Sequence, residues 1–365
     1  MDSLSSFARA SVIATLSLLP GLSHAASPAP IGHVFIIVLE NEDDSTSFGS
    51  GSKAPYLAQT LVSEGAYLPN YYGIGHHSAD NYIAMIGGQP PDTKTQDDCS
   101  YYINFTTKSG GTTAIPAGNG CIYPSNIQSI SAQLDTAKLT WKAYMEDMGN
   151  TPSRESATCG HPAVGARDNT QSATAADQYA TRHDPFMYYH SIIDNQSYCD
   201  AHVVNFTPLT TDLQQISTTA NFNFITPNLC DDGHDSPCAN GDKGGLTQIN
   251  TFLQEWVPTI MNSPAFKKDG LLIVTFDESE NDDTDCCSEP TGPNVKKPGI
   301  GGPGGGKIGA VMLSPFIKPG TVSNTAYNHY SMLKSLEDIY GLSYLGEAGQ
   351  SGLVGFGSDI FNNVP

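Results

Sequence analysis

The sequence has 365 residues, of which 37 are acidic and 17 basic, so its formal net charge is −20. Surfaces that bind nucleic acid are normally basic, so this balance excludes nucleic acid as a partner. The chain is long enough for one large α/β domain or two smaller ones, and it shows neither an internal repeat nor a low-complexity linker. We therefore predict a single domain over residues 26–365.

The first residues have the pattern of a secretory signal peptide. Arg9 precedes an apolar run over residues 10–22, and Ser23-His24-Ala25 matches a small-x-small cleavage pattern. We predict that residues 1–25 are a signal peptide and that the mature protein is secreted or periplasmic. No other stretch reaches the roughly 18 apolar residues of a membrane span, so no transmembrane segment is expected. The oligomeric state stays open.

All eight cysteines follow this segment, and an even number in an exported protein favours disulfides over zinc ligation. The two short-loop pairings, Cys99–Cys121 and Cys230–Cys238, are expected first. The adjacent Cys286 and Cys287 either bridge each other or bind separate partners. Residues 89–124 are rich in Gly, Pro, Thr and Asp with little periodicity. We predict that they form a disulfide-stapled insertion.

Apolar strands and amphipathic helices alternate along the chain. The predicted strands are residues 33–39, 139–145, 202–206, 222–226, 271–276 and 308–313. The predicted helices are residues 55–64, 78–86, 127–134, 185–193, 209–216, 246–261 and 329–340. This alternation predicts an α/β fold with a mostly parallel central sheet flanked by helices. Residues 67–72 and 150–182 are predicted to be irregular, because Pro, Gly or aromatic residues interrupt any period.

Two of the apolar strands end in carboxylates. Residues 33–39 run into Glu40-Asn41, and residues 271–276 run into Asp277-Glu278. Because the carboxyl ends of parallel strands meet at one edge of a sheet, these side chains are expected to converge. Several carboxylates at one edge predict a divalent-metal site, with zinc, calcium and magnesium all possible. Taken alone, Glu40 is better explained as a residue that caps a loop or accepts backbone hydrogen bonds.

Histidines accompany two further clusters. Asp232-Gly233-His234-Asp235 follows the strand at 222–226, and His329 begins the last predicted helix. Asp-Gly dipeptides are common turns and a lone histidine is usually structural. Four acid or histidine clusters, most of them at strand ends, nevertheless indicate a metal centre when taken together.

Ser78 is the candidate nucleophile. It begins a predicted helix directly after His76-His77, and most serines at this position are plain N-caps. The same geometry presents free N–H groups to a phosphate, and a coordinated metal would supply the serine alkoxide. Asn81 is then expected to donate to a phosphoryl oxygen, and His77 is the second candidate substrate-binding residue.

Five short motifs in this order resemble the secreted phosphoesterase family that groups acid phosphatases with phospholipases C, within the alkaline phosphatase superfamily. They span about residues 31–342, nearly the whole predicted mature chain. The motifs are Val38-Leu39-Glu40-Asn41, His77-Ser78-Ala79-Asp80-Asn81-Tyr82, Pro227-Asn228 with Asp232-Gly233-His234-Asp235, Thr275-Phe276-Asp277-Glu278, and Asn328-His329-Tyr330-Ser331. The resemblance implies an alkaline-phosphatase-like fold.

The resemblance also implies roles for these residues. Glu40, Asp277 and Glu278 would be metal ligands with Asn41 beside them, and Ser78 would carry the phosphoryl group covalently. Three residues, Asp232, His234 and His329, would complete a second metal position or bind and protonate the leaving group.

Departures from the family pattern favour its phosphatase branch. Many phospholipases C carry Arg-Ser-Phe-Asp after Glu-Asn, where this chain has Glu42-Asp43-Asp44, and the family often has Pro at the position of Asp80. The long carboxy-terminal extensions of many bacterial phospholipases are also absent. We therefore expect an exported, metal-dependent phosphomonoesterase acting on a small phosphate ester. The alternatives are a phospholipase C-type phosphodiesterase and a non-catalytic calcium-binding protein.

Overall fold

The computed structural model describes residues 29–364, so the predicted signal peptide over residues 1–25 lies outside the described residues. Twelve β-strands are found in this part of the chain. They are β1 His33–Leu39, β2 Ala66–Leu68, β3 Tyr71–Tyr72, β4 Thr106–Gly111, β5 Pro116–Asn119, β6 Trp141–Met145, β7 Val203–Asn205, β8 Phe222–Thr226, β9 Gly270–Phe276, β10 Ala310–Leu313, β11 Thr321–Val322 and β12 Tyr327–Asn328.

Ten α-helices connect and flank these strands. They are α1 Asp44–Ser47, α2 Val62–Glu64, α3 Ser78–Gly87, α4 Ile130–Ala137, α5 His190–Ile193, α6 Gln196–His202, α7 Leu209–Asp212, α8 Gly245–Asn262, α9 Pro264–Asp269 and α10 His329–Tyr340. A π-helical segment, Tyr56–Leu61, precedes α2, and short 3₁₀ turns occur at Thr95–Asp97, Thr181–His183, Pro185–Tyr188 and Gly346–Gly349.

Eight of the strands form the central sheet in the order β11-β2-β10-β9-β1-β8-β6-β7. The five consecutive strands from β9 to β7 are parallel, whereas β10 runs antiparallel to both β9 and β2. Helices α3, α8 and α10 each bury an apolar face. The predicted α/β class with a mostly parallel central sheet is confirmed.

The centre of the sheet follows from the two longest apolar runs. Every residue of β1 and of β9 is buried, as expected for strands covered by helices on both faces. Their register pairs His33 with Gly270 at one end and Leu39 with Phe276 at the other. The next residues, Glu40 and Asp277, therefore leave the sheet side by side at its carboxyl edge.

Some of the observed elements differ from the predicted ones. Residues 67–72 were predicted to be irregular but contribute to β2 and β3, because pairing with β10 and β12 overrides weak local propensity. The helix predicted over 209–216 ends at Asp212. Pro258 lies inside α8 without shortening it, and the helix continues to Asn262.

Disulfides join all eight cysteines. The predicted pairs Cys99–Cys121 and Cys230–Cys238 are confirmed, and the others are Cys159–Cys199 and the adjacent pair Cys286–Cys287. The segment 89–124 contains the hairpin of β4 and β5, which the sequence did not predict. Its disulfide, Cys99–Cys121, directly follows Asp98, whose carboxylate accepts from Ala79 N in α3.

Candidate active site

Strand ends bring the predicted acidic residues together. Glu40, Asp232 and Asp277 are fully buried, and they follow β1, β8 and β9 at the same edge of the sheet. The backbone links them, because Glu40 N donates to Asp232 O at 2.9 Å and Asp277 N donates to Leu39 O at 2.9 Å. The edge therefore carries a compact group of carboxylates in the protein interior.

Ser78 lies directly against this group. It is the first residue of α3, and its Oγ donates a hydrogen bond to Glu40 Oε2 at 3.0 Å. His77, rather than Ser78, occupies the N-cap position, so the serine hydroxyl is free of a capping role. Helix α3 ends at Gly87, and Gly88 takes up the left-handed conformation (φ 63°) that commonly closes a helix.

His183 joins the carboxylates and was missed by sequence reasoning. Its Nδ1 lies 3.1 Å from Asp232 Oδ2 and its Nε2 lies 3.4 Å from Glu40 Oε1. The imidazole stacks on the ring of Tyr82, with centroids 5.2 Å apart, and Tyr82 Oη donates to the same Glu40 oxygen at 2.7 Å. His183 ends a 3₁₀ turn after the irregular segment 150–182, where no periodic signal marks it.

The donor set fits a divalent metal ion. Glu40, His183 and Asp232 each offer a ligand atom, and these atoms lie within 4.8 Å of one another. Burial, followed by the charges of Asp277 and Asp232, raises the pKa of Glu40 well above its usual range. A cation between such groups removes this cost, since a buried carboxylate needs a counter-charge.

Two side-chain oxygens without hydrogen-bond partners lie beside the candidate ligands and also support a metal site. Asp277 Oδ2 and Asn41 Oδ1 are buried and have no hydrogen-bond partner in the described chain. Asp277 Oδ1 accepts from Asn41 N at 3.2 Å and from Glu278 N at 2.7 Å, which fixes the carboxylate. Burial raises the pKa of Asp277 to about 6. Oxygen and imidazole ligands together suit several divalent metals.

Arg182 is a second residue that sequence reasoning did not single out. It is 3% exposed, and its Nη2 lies 3.1 Å from His234 Nε2. Its charge acts on Glu40 and Asp232, lowering the pKa of both carboxyl groups against the larger, opposite effect of burial. The other ring nitrogen of His234, Nδ1, contacts Asp235 Oδ1 at 2.8 Å. Buried positive charge therefore stands next to the carboxylates.

Two of the predicted residues have partners that differ from those we expected. Asn81 Oδ1 accepts from the N–H groups of Ile74 and Gly75, and its Nδ2 donates to Glu278 Oε2 at 2.8 Å. His329 is fully buried, and its Nε2 lies 2.6 Å from the carbonyl oxygen of Asp277. These contacts suit residues that position the loop before Ser78 and the candidate ligand Asp277, respectively.

His77 also contacts the protein itself. Its Nδ1 lies 3.0 Å from Asp98 Oδ2, and 37% of its side chain is exposed. The hydrogen bond that His77 donates to Asp98 raises the pKa of His77. His77 therefore lies at the surface end of the site, while Glu40 and Ser78 lie beneath it.

A cavity of about 690 Å³ lies beside the carboxylate group, and three of the predicted site residues belong to its lining. Asn41, His234 and Glu278 line its inner side, and residues 243–247 at the start of α8 form another wall. Leu246 is the only apolar side chain among the described residues that line it. The cavity is large enough for a small ligand, and its polar lining suits a hydrophilic one.

The site combines buried carboxylates and an imidazole at the carboxyl edge of an α/β sheet, and a serine hydroxyl lies against them. This arrangement defines a candidate metal-assisted hydrolase site. The model of the Phosphoesterase family matches residues 50–343. The chain therefore belongs to the Phosphoesterase family. No helix within residues 29–364 combines the length and apolar character needed to cross a bilayer.

Similar proteins include several phosphatases. The chain is 28% identical over 286 residues to a phosphate-repressible acid phosphatase of Penicillium chrysogenum, covering 78% of this chain and 54% of that protein. It is 27% identical over 315 residues to a probable acid phosphatase of Kluyveromyces lactis, covering 86% and 59%. The chain thus spans little more than half the length of these two relatives.

A third relative has a more similar length. The chain is 25% identical over 341 residues to a phosphatidylinositol-3-phosphatase of Mycobacterium tuberculosis, covering 93% of this chain and 87% of that protein. Among solved structures, a protein in the alkaline phosphatase superfamily from Vibrio parahaemolyticus aligns with a TM-score of 0.49 and 13% identity. That alignment covers 87% of this chain and 69% of that chain.

Proposed function

We propose that this protein is an exported, metal-dependent phosphomonoesterase that uses Ser78 as its nucleophile. The observation that carries the proposal is the 3.0 Å contact between Ser78 Oγ and Glu40 Oε2, inside a buried group of metal-type ligands. Membership of the Phosphoesterase family and similarity to proteins named acid phosphatases support the same reaction class.

The metal would be held by Glu40, His183 and Asp232, with Asp277 and Glu278 on the adjoining strand end. When bound, such an ion acts as a Lewis acid on a phosphoryl oxygen and lowers the pKa of a nearby hydroxyl group. Tyr82 orients two of these ligands, since it donates to Glu40 and stacks on His183. The identity and number of the ions are left open.

Ser78 attacks phosphorus in line with the leaving oxygen. The bond between Ser78 Oγ and phosphorus forms as the ester P–O bond breaks. The Ser78 hydroxyl proton passes to Glu40 Oε2, which accepts its hydrogen bond, and the leaving oxygen takes up a proton from His234 and departs as an alcohol. Arg182 supplies fixed positive charge beside the site, where the equatorial oxygens gather negative charge. Water then cleaves the phosphoserine, which releases inorganic phosphate and restores Ser78.

The leaving group is accommodated in the polar cavity. His234 lines this cavity and is the ionisable group that we assign to the leaving oxygen. A phospholipase C would need an apolar surface for acyl chains, but Leu246 alone supplies one among the described lining residues. Tyr71 supplies no such surface either, because it is buried and its hydroxyl contacts His329 Nδ1. A hydrophilic phosphate monoester is therefore the better fit.

Export is proposed on the pairing of all eight cysteines. Four disulfides in one chain are typical of proteins that fold in an oxidising compartment. The pattern of residues 1–25 points the same way.

The test is hydrolysis of p-nitrophenyl phosphate by the purified protein, with and without a chelator, and by the Ser78→Ala variant. We expect release of p-nitrophenol that the chelator abolishes and metal restores, and loss of at least about 1,000-fold in kcat for the variant. Ser131→Ala, a buried serine on α4, is the control.

Two outcomes would contradict the proposal. Hydrolysis of phosphatidylcholine without hydrolysis of p-nitrophenyl phosphate would favour the phosphodiesterase alternative. A folded protein that binds calcium and cleaves neither substrate with any divalent metal would favour the non-catalytic alternative.

A further inference from the structure

The disulfide-stapled segment 89–124 is pinned at both ends. Asp92 is fully buried, and its Oδ1 accepts from Lys94 N at 2.6 Å and from Gly120 N at 3.4 Å. The Cys99–Cys121 disulfide joins the same two parts of the segment, with Cα atoms 5.8 Å apart. The turn between Asp92 and Cys99 is therefore held from two directions.

This turn presents Asp98 to the helix that carries the nucleophile. Asp98 and Cys99 both adopt left-handed backbone conformations, with φ values of 48° and 52°. Few residues other than glycine take up this conformation, and aspartate tolerates it better than most. Asp98 Oδ1 accepts from Ala79 N at 3.1 Å, and Oδ2 lies 3.0 Å from His77 Nδ1. Ser78 lies between these two contacts.

Asp98 also connects to the buried arginine. Arg182 Nε lies 4.0 Å from Asp98 Oδ2. Gln171 bridges the two residues. Its side-chain Nε2 donates to the backbone oxygen of Asp98 at 2.9 Å, and its own backbone oxygen accepts from Arg182 Nη1 at 3.1 Å. Arg182 in turn contacts His234 on the cavity wall. A single carboxylate thus links the start of α3 to the positive charge beside the site.

We propose that Asp98 is a positioning residue for catalysis, held in place by the Cys99–Cys121 disulfide. It fixes the first turn of α3, and with it the distance between Ser78 Oγ and Glu40, and it orients the guanidinium of Arg182. The inference rests on the proposed function, because Ser78 is its nucleophile. It gives the insertion a role in the reaction beyond stabilising the fold.

Positioning and simple capping differ in their expected effects on stability and on kcat. A side chain that caps a helix contributes about 1 kcal/mol to stability, which alone leaves kcat unchanged. A displacement of about 1 Å of a reacting group can cost roughly 100-fold in rate. Loss of Asp98 is therefore expected to lower kcat far more than it lowers stability.

The experiment measures kcat and KM for p-nitrophenyl phosphate with metal-saturated wild type, Asp98→Ala and Asp98→Asn. We expect kcat to fall about 10- to 100-fold in Asp98→Ala, with KM changed less than about threefold. Asp98→Asn keeps an oxygen that accepts from Ala79 N but loses the charge facing Arg182. Its kcat should therefore lie between those of wild type and Asp98→Ala.

Two disulfide variants form a matched pair. Cys99→Ser/Cys121→Ser removes the disulfide beside Asp98, and Cys159→Ser/Cys199→Ser removes a disulfide between two cysteines outside this segment. Both are expected to lower the melting temperature, whereas only the first should lower kcat as Asp98→Ala does. If the first variant does not fold, the Asp98→Asn result decides.

The outcomes are distinguishable. Wild-type kcat in both Asp98 variants, or an equal loss of kcat in the two disulfide variants, would overturn the positioning role while leaving the proposed function intact. A wild-type protein that hydrolyses no phosphate ester would overturn the proposed function, and this inference with it.

Discussion

At the scale of the residue, Tyr82 shows how one side chain organises the candidate metal site. Its hydroxyl donates to Glu40 and its ring stacks on His183, so it orients two candidate ligands from different parts of the chain. Burial, followed by the charge of Glu40, raises the pKa of Tyr82 well above its usual range, so the hydroxyl keeps its proton. Partners behind metal ligands are commonly needed for full affinity.

Tyr82→Phe should weaken metal binding without disturbing the fold. The ring and its stacking remain, while the hydrogen bond to Glu40 is lost, so we expect about 10- to 100-fold lower metal affinity. The measurement is competition with a metal-binding dye. Tyr144→Phe is the control. It also removes a tyrosine hydroxyl that donates to a carboxylate, but that carboxylate, Asp212, is not one of the candidate metal ligands. Equal affinity in the wild type and Tyr82→Phe would contradict the role assigned to Tyr82.

At the scale of the element, the site depends on how closely the loop before α3 approaches the end of β9. A Cβ atom added to Gly73 would lie 2.7 Å from Asp277 O and 3.0 Å from Gly305 O. Both neighbours are backbone atoms, which cannot move away cheaply. Only glycine therefore lets the segment that leads to Ser78 pack directly against the strand end that carries Asp277.

Gly73→Ala should consequently lower both stability and activity. Forcing an extra methyl group into packed backbone typically costs about 1–3 kcal/mol. We expect a lower melting temperature and a lower kcat, measured by thermal unfolding and by the esterase assay. Gly51→Ala, where an added Cβ meets nothing within 4 Å, should change neither. A Gly73→Ala protein with wild-type values would refute this close-packing argument.

The same scale explains what the sequence could predict. Glu40 and Asp277 were predictable because each directly follows an unbroken apolar run, and such runs identify buried parallel strands. The helix at 329–340 was predicted at its observed bounds. His183 and Arg182 belong to a 3₁₀ turn after an irregular segment, where position depends on long-range contacts. No local pattern marks such residues as neighbours of Glu40.

At the scale of the whole molecule, buried carboxyl groups away from the site favour folding in acid. Burial raises the pKa of Glu337 on α10 to about 8, and burial raises that of Glu155 to about 8 as well. In the unfolded chain both groups titrate near pH 4.3. Between roughly pH 4 and 8 the folded state therefore holds more protons, and the free energy of unfolding falls as pH rises.

We expect the melting temperature to be higher at pH 5 than at pH 7.5, and Glu337→Gln to reduce this difference. The amide keeps an acceptor for Leu345 N and carries no proton to lose. The variant should be more stable than wild type at pH 7.5, by at least about 2 °C, and similar to it at pH 4.5. Glu64→Gln, an exposed change, is the control. Parallel pH profiles for wild type and Glu337→Gln would contradict this account.

The proposed reaction requires Ser78 to carry the phosphoryl group covalently. Acid quenching of the metal-loaded protein during turnover, followed by peptide mass spectrometry, tests it most directly. We predict phosphate on Ser78 in the wild-type protein and neither phosphopeptide nor turnover in Ser78→Ala. Phosphate on a different residue, or turnover of Ser78→Ala at the wild-type rate, would contradict the account.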